Sequence, residues 1–471
     1  MLMLKATTVS ASRCDAQVLA PYPPYPRLSV LRSPHRLSEN RMRILVVGSG
    51  GREHALVRAL AQSDSVSALF AAPGTPGTAQ AATNVDLGAT DIDGLVAFAQ
   101  AEAIDLTLVG PEQPLVDGIV DRFAAAGLPI VGPTQDAARL EGSKAFANQF
   151  MARHGIPTAS FRVFGAEAYA EASAYLDEVG APIVVKADGL AAGKGAFVCD
   201  TLEAAHEALD QIVQDRAFGA AGDRVVIEEK MEGEEVSVLA LTDGAHYVLL
   251  PPSQDHKPIG EGGTGPNTGG MGAFAPAPLV DGALLMEICR DIIEPTLQGM
   301  QEEGTPYRGV LYCGLMVADD GPKVVEYNCR LGDPEAQAVL PLVDSDLAEI
   351  FRNVAEGDLQ GTSVRTVPGA AACVVMASDG YPVEYDTGVE ITGLEAAEAL
   401  PHVSVLHAGT RRTDDARLVT DGGRVLGVVG RGGDLPEALD RAYEGVDRIH
   451  FAGNTYRRDI GEKGRAHLDA S

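Results

Sequence analysis

The sequence predicts an α/β (α+β multidomain) chain, and three observations support this. The first is length: 471 residues make about three domains at roughly 150 residues each. The second is pattern: from Met42 onward, short apolar runs alternate with helical periodicity, as in an open α/β sheet. The third is composition. Hydrophobic residues make up 45% of the chain, ordinary for a globular protein, and no window has the about 20 uninterrupted apolar residues of a membrane span. The expected order is an N-terminal open parallel α/β domain, a mixed middle unit and a small, mostly-β C-terminal unit.

Each element is justified in turn. Arg43–Val47 is the apolar run of a buried parallel strand. Gly48-Ser-Gly-Gly51 is a turn, and Arg52 to Gln62 has helical periodicity. A strand at Leu106–Gly110 ends in Pro111-Glu112; a helix over Leu115–Ala126 and a strand at Pro129–Gly132 follow. In such sheets ligands sit at the carboxyl ends of strands, where Gly48–Gly51 and Gly110–Glu112 fall. The second unit has a helix over Lys144–His154, strands at Pro182–Lys186 and Val225–Glu229, and a Gly-rich loop to Gly195. Ser253–Gly272 reads as one long Gly-rich loop, and a loop of that length in a compact domain points to function. Strand-like segments at 314–317 and 323–327 flank the turn Asp319-Asp-Gly321. From about 366 the chain is short strands (Ala371–Met376, Gly423–Val429) and a helix over Leu435–Val446.

The net charge is −29. That argues against nucleic-acid binding, which needs clustered Lys and Arg, and against an anionic membrane surface. Residues 1–41 hold six basic side chains against Asp15 and Glu39, so the remainder carries −33. An acid-rich, Lys-poor body resembles the proteins of salt-adapted organisms. The Pro-rich stretch Ala20–Arg27 cannot be helical. The leader 1–41 reads as a transit peptide, a disordered tail or untranslated sequence before a true start at Met42; the last is preferred. Six scattered cysteines without a CxxC pair support neither disulfides nor zinc, and a cytoplasmic location is expected.

Several motifs bear on chemistry. Gly48-Ser-Gly-Gly-Arg-Glu53 after a strand reads as a phosphate cradle, although Glu53 stands where a dinucleotide fingerprint needs glycine. Lys186-Ala-Asp-Gly-Leu-Ala-Ala-Gly-Lys-Gly195 fails as a Walker A loop, since Gly189 and Gly193 enclose three residues and Gly195 replaces Ser or Thr. Its two lysines can still neutralise a triphosphate. Only eight lysines occur, and Lys144, Lys186, Lys194, Lys230 and Lys257 all fall within the middle unit's motifs. Glu228-Glu229 and Glu235 suit ribose hydroxyls, though an acidic surface turn would look the same. Glu326 and Asn328, two apart on a strand, share one face and offer hard oxygens to a divalent cation; Arg330 completes that face as a phosphoryl ligand. His256 is a possible general base, but no nucleophile partner for it is legible.

In order along residues 42–461, these segments resemble the phosphoribosylamine–glycine ligase (glycinamide ribonucleotide synthetase) family of ATP-grasp enzymes. The segments are Val47–Leu56, Val109–Glu112, Leu140–Phe146, Val185–Gly195, Glu228–Glu235, Ser253–Lys257, Thr264–Gly272, Glu326–Glu335, His407–Thr410 and Tyr456–Gly461. Ser49, Lys230 and Leu331 depart from the common pattern. Beyond a leader 1–41 that has no counterpart in the family's catalytic core, the resemblance implies an N-terminal substrate domain 42–143, an ATP-grasp core 144–365 with a mobile lid at about 166–234, and a C-terminal domain 366–471. It implies an ATP-dependent ligation of glycine to phosphoribosylamine, with Mg²⁺ or Mn²⁺ on Glu326 and Asn328. Lys144, Lys186, Gly193, Lys194, Gly195, Glu228, Glu229 and Glu235 would bind ATP. Gly50, Gly51, Glu53, Gly110, Glu112, Asn267, Thr268, Gly269 and Asp333 would bind substrate. Arg330, Lys194, Asp255 and Lys257 would be catalytic. A monomer with small-molecule partners alone is expected.

Overall fold

The computed structural model describes residues 41–191 and 194–470; the expectations for the leader through residue 40 and for Gly193 lie outside the described residues. The N-terminal sheet is all parallel. Strands β1 (Met42–Gly48), β2 (Val66–Pro73), β3 (Thr83–Asn84), β4 (Leu106–Val109) and β5 (Ile130–Val131) stack in the order β3-β2-β1-β4-β5. Both faces are covered, which is why β1 is apolar throughout: Ile44 to Val47 are fully buried. Helix α1 (Gly51–Leu60) packs Leu56, Val57 and Leu60 on the face of Ile44 and Val46. Helix α2 (Ile92–Ala101) covers the other face with Leu95 and Ala99. The helix expected over 115–126 is two helices, α3 (Glu112–Val116) and α4 (Ile119–Ala125). Gly118 separates them at φ +86°, a left-handed turn that glycine adopts without strain. Chain order reverses across β1 and β4, so Gly48 and Gly110 open onto the switch-point crevice.

After α5 (Arg139–Gly142) and α6 (Lys144–His154), a separate body forms. It comprises β6 (Phe161–Gly165), α7 (Tyr169–Val179), β7 (Ile183–Ala187), β8 (Ala196–Cys199), α8 (Leu202–Leu209) and β9 (Arg224–Glu229). Its antiparallel sheet runs β6-β9-β7-β8. Its core, which includes Phe164, Leu176, Val185, Leu209 and Ile227, draws only on this stretch of chain. A body with a private core can shift as a unit.

The chain then enters β10 (Glu234–Thr242) and β11 (Tyr247–Leu249). The segment expected as a structureless loop is partly paired. It contains β12 (Gln254–Asp255) and the hairpin β13 (Pro258–Gly260) and β14 (Thr264–Asn267), and leads into β15 (Gly272–Ala275). Helices α9 (Gly282–Ile288) and α10 (Glu294–Glu302) precede the long hairpin β16 (Gly309–Ala318) and β17 (Gly321–Asn328), giving a sheet β11-β10-β16-β17. Helices α11 (Glu335–Val339) and α12 (Leu347–Glu356) follow.

The last unit has β18 (Ala370–Ser378), α13 (Leu394–Glu398), β19 (Val403–His407), the small pair β20 (Thr410–Arg412) and β21 (Leu418–Thr420), β22 (Arg424–Gly432), α14 (Leu435–Val446), β23 (Asn454–Thr455) and α15 (Glu462–Ala470). Its sheet, β12-β15-β18-β22-β19 with β23 against β18, recruits two strands from the middle of the chain. The segment 255–272 is therefore anchored at both ends in the C-terminal sheet. No helix among the described residues is long and apolar enough to cross a membrane.

Three buried histidines lock these units together in neutral form. His54 Nδ1 on α1 accepts from the His407 main-chain N–H at 2.8 Å, and His407 Nδ1 lies 3.0 Å from Thr410 Oγ1. His256 Nε2 accepts from Gly461 N–H at 3.3 Å, which makes it a structural bridge rather than a base. Burial pushes His54 down to about 3, with His407 and Arg58 adding to the shift. Burial likewise pushes His256 and His407 down to about 4. A depressed folded-state value means the unfolded chain takes the proton first, so the stability each contributes is present above about 6.5 and lost as pH falls toward 4. His54→Gln removes one such site. The stability gap between wild type and variant in urea denaturation should narrow from pH 7 to pH 5; a constant gap would show that His54 is not held neutral.

Candidate active site

The glycine loop at the switch point is already filled. Glu53, at the third position of α1, turns its carboxylate back over the loop and accepts from Gly50 N–H, satisfying the main-chain donor at the N-cap. Arg52 Nε donates to the same carboxylate at 2.7 Å, and both side chains are buried. A Cβ on Gly110 would stand 1.9 Å from Glu53 Oε1, and one on Gly48 2.7 Å from Glu53 Cγ. These glycines make room for the protein's own Glu53 carboxylate, which sits at the electropositive helix start. Gly51 lies equally close to α11, where a Cβ would meet Gln337 Nε2 at 2.7 Å. Asp333 borders the same loop, its Oδ2 3.2 Å from a Cβ on Gly50. Burial would raise the Asp333 carboxyl, but Arg424 and Arg52 hold it below its ordinary value.

Beside this loop, Arg330 is held between carboxylates. Its Nη2 lies 2.9 Å from Glu141 Oε1 and 3.0 Å from Asn328 Oδ1, and its Nε 3.4 Å from Glu112 Oε2. Burial disfavours its charge, and Glu141 and Glu112 more than restore it. Burial would likewise raise Glu112, but Arg330 and Arg52 hold it below its ordinary range.

The lysines converge between the two antiparallel sheets. Lys144 opens α6, and its Nζ donates to the Gly189 carbonyl at 3.1 Å. Ser143 caps that helix, and Asp188 Oδ1 accepts from Ala145 N–H at 2.7 Å and Ser143 Oγ at 2.9 Å. Lys186 Nζ on β7 sits 2.5 Å from Glu228 Oε2 on β9 and reaches the Val325 carbonyl of β17 at 3.4 Å. Burial lowers Lys144, partly offset by Glu326, while neighbouring Lys186 lowers it further. These two cations lie within mutual range and both act on Glu326. Lys194 is exposed on the β7–β8 connection, and Gly195 is packed so that a Cβ would meet the Ala191 Cβ at 2.6 Å.

Two of the sequence-predicted ATP ligands are placed differently from the expectation. Glu228 is buried and fully engaged, since Asn148 Nδ2 also donates to it at 2.7 Å. Glu229, the next residue, points to the opposite face of β9, as strand alternation requires. Its Oε2 accepts from Ser160 Oγ at 2.7 Å, so its side chain does not join the cluster.

The centre is Lys257, whose Nζ lies 3.3 Å from Glu235 Oε2 and 3.4 Å from Glu326 Oε1. Lys257 in the first place, then Lys186, Lys144 and Arg330, hold the Glu326 carboxyl down to about 2 against the effect of burial. Burial pushes nearby Asp255 up to about 8, with Lys257 opposing. Thr268 is committed to this centre: its N–H and Oγ1 both donate to the Lys257 carbonyl, at 2.8 and 2.7 Å. Asn267 pairs with Pro258 at the mouth of the β13–β14 hairpin. Among the described residues no three His, Cys, Asp or Glu side chains converge as a metal site. Glu326 and Asn328 fit a hard divalent cation as a carboxylate and an amide oxygen, with other oxygens drawn from a bound ligand. Sequence reasoning missed the roles of Arg52, Glu141, Asn148, Asp188 and Arg424. Arg52, Glu141 and Asp188 stand inside quoted motifs; Asn148 and Arg424 lie outside them and carry no local signal.

Three domains described for phosphoribosylglycinamide synthetase match the chain in order: the N domain over residues 42–141, the ATP-grasp (A) domain over 142–336 and the C domain over 371–463. Curated phosphoribosylamine–glycine ligases are similar over most of the chain. The Vibrio cholerae protein is 50% identical over 432 residues, 91% of this chain and 100% of its own. The Chlorobaculum tepidum protein is 52% identical over 426 residues, 90% of this chain and 100% of its own. The crystal structure of phosphoribosylamine–glycine ligase from Thermotoga maritima superposes with a TM-score of 0.76 at 35% identity, covering 89% of this chain and 100% of that one. The biotin carboxylase domain of Hydrogenobacter thermophilus 2-oxoglutarate carboxylase shares the fold at 16% identity, with a TM-score of 0.66 over 92% of this chain and 100% of that one.

The packing of Glu53 can be tested directly. Gly110→Ala puts a methyl group where the Glu53 carboxylate lies, breaking its bonds to Gly50 and Arg52. The expected cost is about 1–3 kcal/mol, seen as a lower urea midpoint. An unchanged midpoint would mean that the carboxylate is free to move aside.

Proposed function

The chain belongs to the phosphoribosylglycinamide synthetase family, and we propose that it ligates glycine to 5-phosphoribosylamine with ATP, giving glycinamide ribonucleotide, ADP and phosphate in de novo purine biosynthesis. The observation that carries this reading is the run of three family domains, in order, over nearly all of residues 42–463. The reaction has two steps. The glycine carboxylate attacks the γ-phosphorus of ATP, forming glycyl phosphate and releasing ADP. The amine of phosphoribosylamine then attacks the acyl carbon, releasing phosphate.

The side chains suit that chemistry. Phosphoryl transfer needs positioning and charge neutralisation rather than a protein nucleophile. Lys144, Lys186 and Lys194 would neutralise the triphosphate, with Gly195 and the undescribed Gly193 in the covering loop. Glu228 and Glu235 would border the nucleoside part. Glu326 and Asn328 would hold Mg²⁺ or Mn²⁺, which supplies charge neutralisation between phosphate oxygens. Arg330, now tied to Glu141 and Asn328, would face the transferring phosphoryl group, with Asp255 and Lys257 alongside. Gly50, Gly51, Gly110, Glu112, Asn267, Thr268, Gly269 and Asp333 would line the phosphoribosylamine site; Glu53, fully covered, shapes that wall from behind. The body with its private core would close over the acyl phosphate and keep water out. The working division is 42–143, 144–365 and 366–471, acting as a cytoplasmic monomer.

Purified protein incubated with ATP, Mg²⁺, glycine and phosphoribosylamine should release ADP and form glycinamide ribonucleotide. Absence of glycine-dependent ADP release at both low and high salt would overturn the assignment. Glu326→Ala should lower turnover by about two orders of magnitude or more with an unchanged circular dichroism spectrum. Near-normal activity would remove Glu326 as the metal ligand.

A further inference from the structure

Gly269 lies in the strip proposed to line the phosphoribosylamine site, and both of its main-chain polar groups are held by the C-terminal domain. Its N–H donates to Tyr381 Oη at 3.2 Å. Its carbonyl accepts from Arg424 Nη1 at 2.8 Å. The same nitrogen donates to the Asp333 carbonyl at 2.7 Å, lies 3.4 Å from the Gly270 carbonyl, and is 3.3 Å from Asp333 Oδ1. One guanidinium nitrogen therefore ties the substrate strip to the turn after β17, which in turn borders Gly50. The fit is close, since a Cβ on Gly269 would stand 3.0 Å from Arg424 Cζ.

Tyr381 and Arg424 are seated together. The Tyr381 ring covers Gly423, where a Cβ would meet Tyr381 Cδ2 at 2.2 Å. Tyr385 packs edge-on against Tyr381 with ring centroids 6.0 Å apart. From the opposite side, Thr268 is fixed to Lys257 and its Oγ1 accepts from Gly270 N–H at 2.9 Å. Gly269 itself belongs to no strand or helix. Without the two C-terminal side chains its backbone would have no hydrogen-bonded anchor, and ordering it would fall on substrate binding.

We infer that Tyr381 and Arg424 are positioning residues that preorganise the Thr268–Gly270 strip, so that the C-terminal domain sets the affinity for the amine substrate without touching the phosphates of ATP. This role rests on the proposed function and adds two residues that lie in none of the sequence motifs. It predicts a selective kinetic effect. In Tyr381→Phe the KM for phosphoribosylamine should rise about five-fold, the equivalent of one hydrogen bond at about 1 kcal/mol. The KM values for ATP and glycine and the melting temperature should stay near wild type. Arg424→Lys should keep part of the affinity and Arg424→Gln lose more, while Tyr385→Phe should behave as wild type. If the wild type forms no product from phosphoribosylamine, the proposed function fails and this role with it. If the wild type turns over but Tyr381→Phe shifts no KM, or shifts all three alike, the positioning role alone is overturned.

Discussion

Burying charge is costly unless each charge is paired, and this constraint organises the centre of the molecule. The pairs bridge separate elements. Lys186 of β7 meets Glu228 of β9. Lys257 of the loop after β12 lies between Glu235 of β10 and Glu326 of β17. Arg330 after β17 reaches Glu141 of α5 and Glu112 of α3, and Arg424 of β22 reaches Asp333. Each pairing joins a different combination of sub-structures, so the network that neutralises the site also fixes the geometry of the domains around it. Exchanging a single partner would leave an unbalanced charge at a domain junction.

The glycine loop shows how the same rule settles an ambiguity. A strand, a glycine turn and a helix start form a generic anion site. Whether a ligand or the protein fills it depends on one side chain, Glu53. Three glycines, at 48, 50 and 110, are needed so that this carboxylate can lie flat against the turn. Beyond it stand Asp333, Glu112 and Arg330, a group of mixed charge.

Much of this was legible in the sequence, for identifiable reasons. Helices at Lys144–His154 and Leu435–Val446 fall where periodicity placed them, because each begins at a capping side chain, Ser143 and Asp434. The buried strands were legible as unbroken apolar runs. The break at Gly118 was not, because a glycine inside an apolar helical pattern signals equally a tolerated residue or a left-handed stop. The pairing of β15 with β18 joins segments about a hundred residues apart, and no local pattern encodes it. Motifs could not rank adjacent residues: Glu228 faces inward and Glu229 outward on the same strand. Arg424 and Tyr381 lay outside every motif because their task is to hold another residue's backbone, which places little demand on neighbouring sequence.

The acidity of the chain makes the placement of lysines consequential. A chain of net charge −29 repels ATP at long range, but at about 0.1 M salt such fields fade beyond roughly 10 Å. Within that distance only local charge counts. Of the chain's few lysines, Lys144, Lys186 and Lys257 turn inward around Glu326, whereas Lys230 and Lys323 are paired on the surface with Asp200 and Asp320. Glu326 shares these three lysines with Glu228 and Glu235, so the cluster is near charge balance within an otherwise negative protein. Its cations are partly buried, so their local field is screened less than that of the surface charges. The surface is thus free to be acidic, provided that the inward lysines are not diluted by carboxylates beyond those that already pair with them.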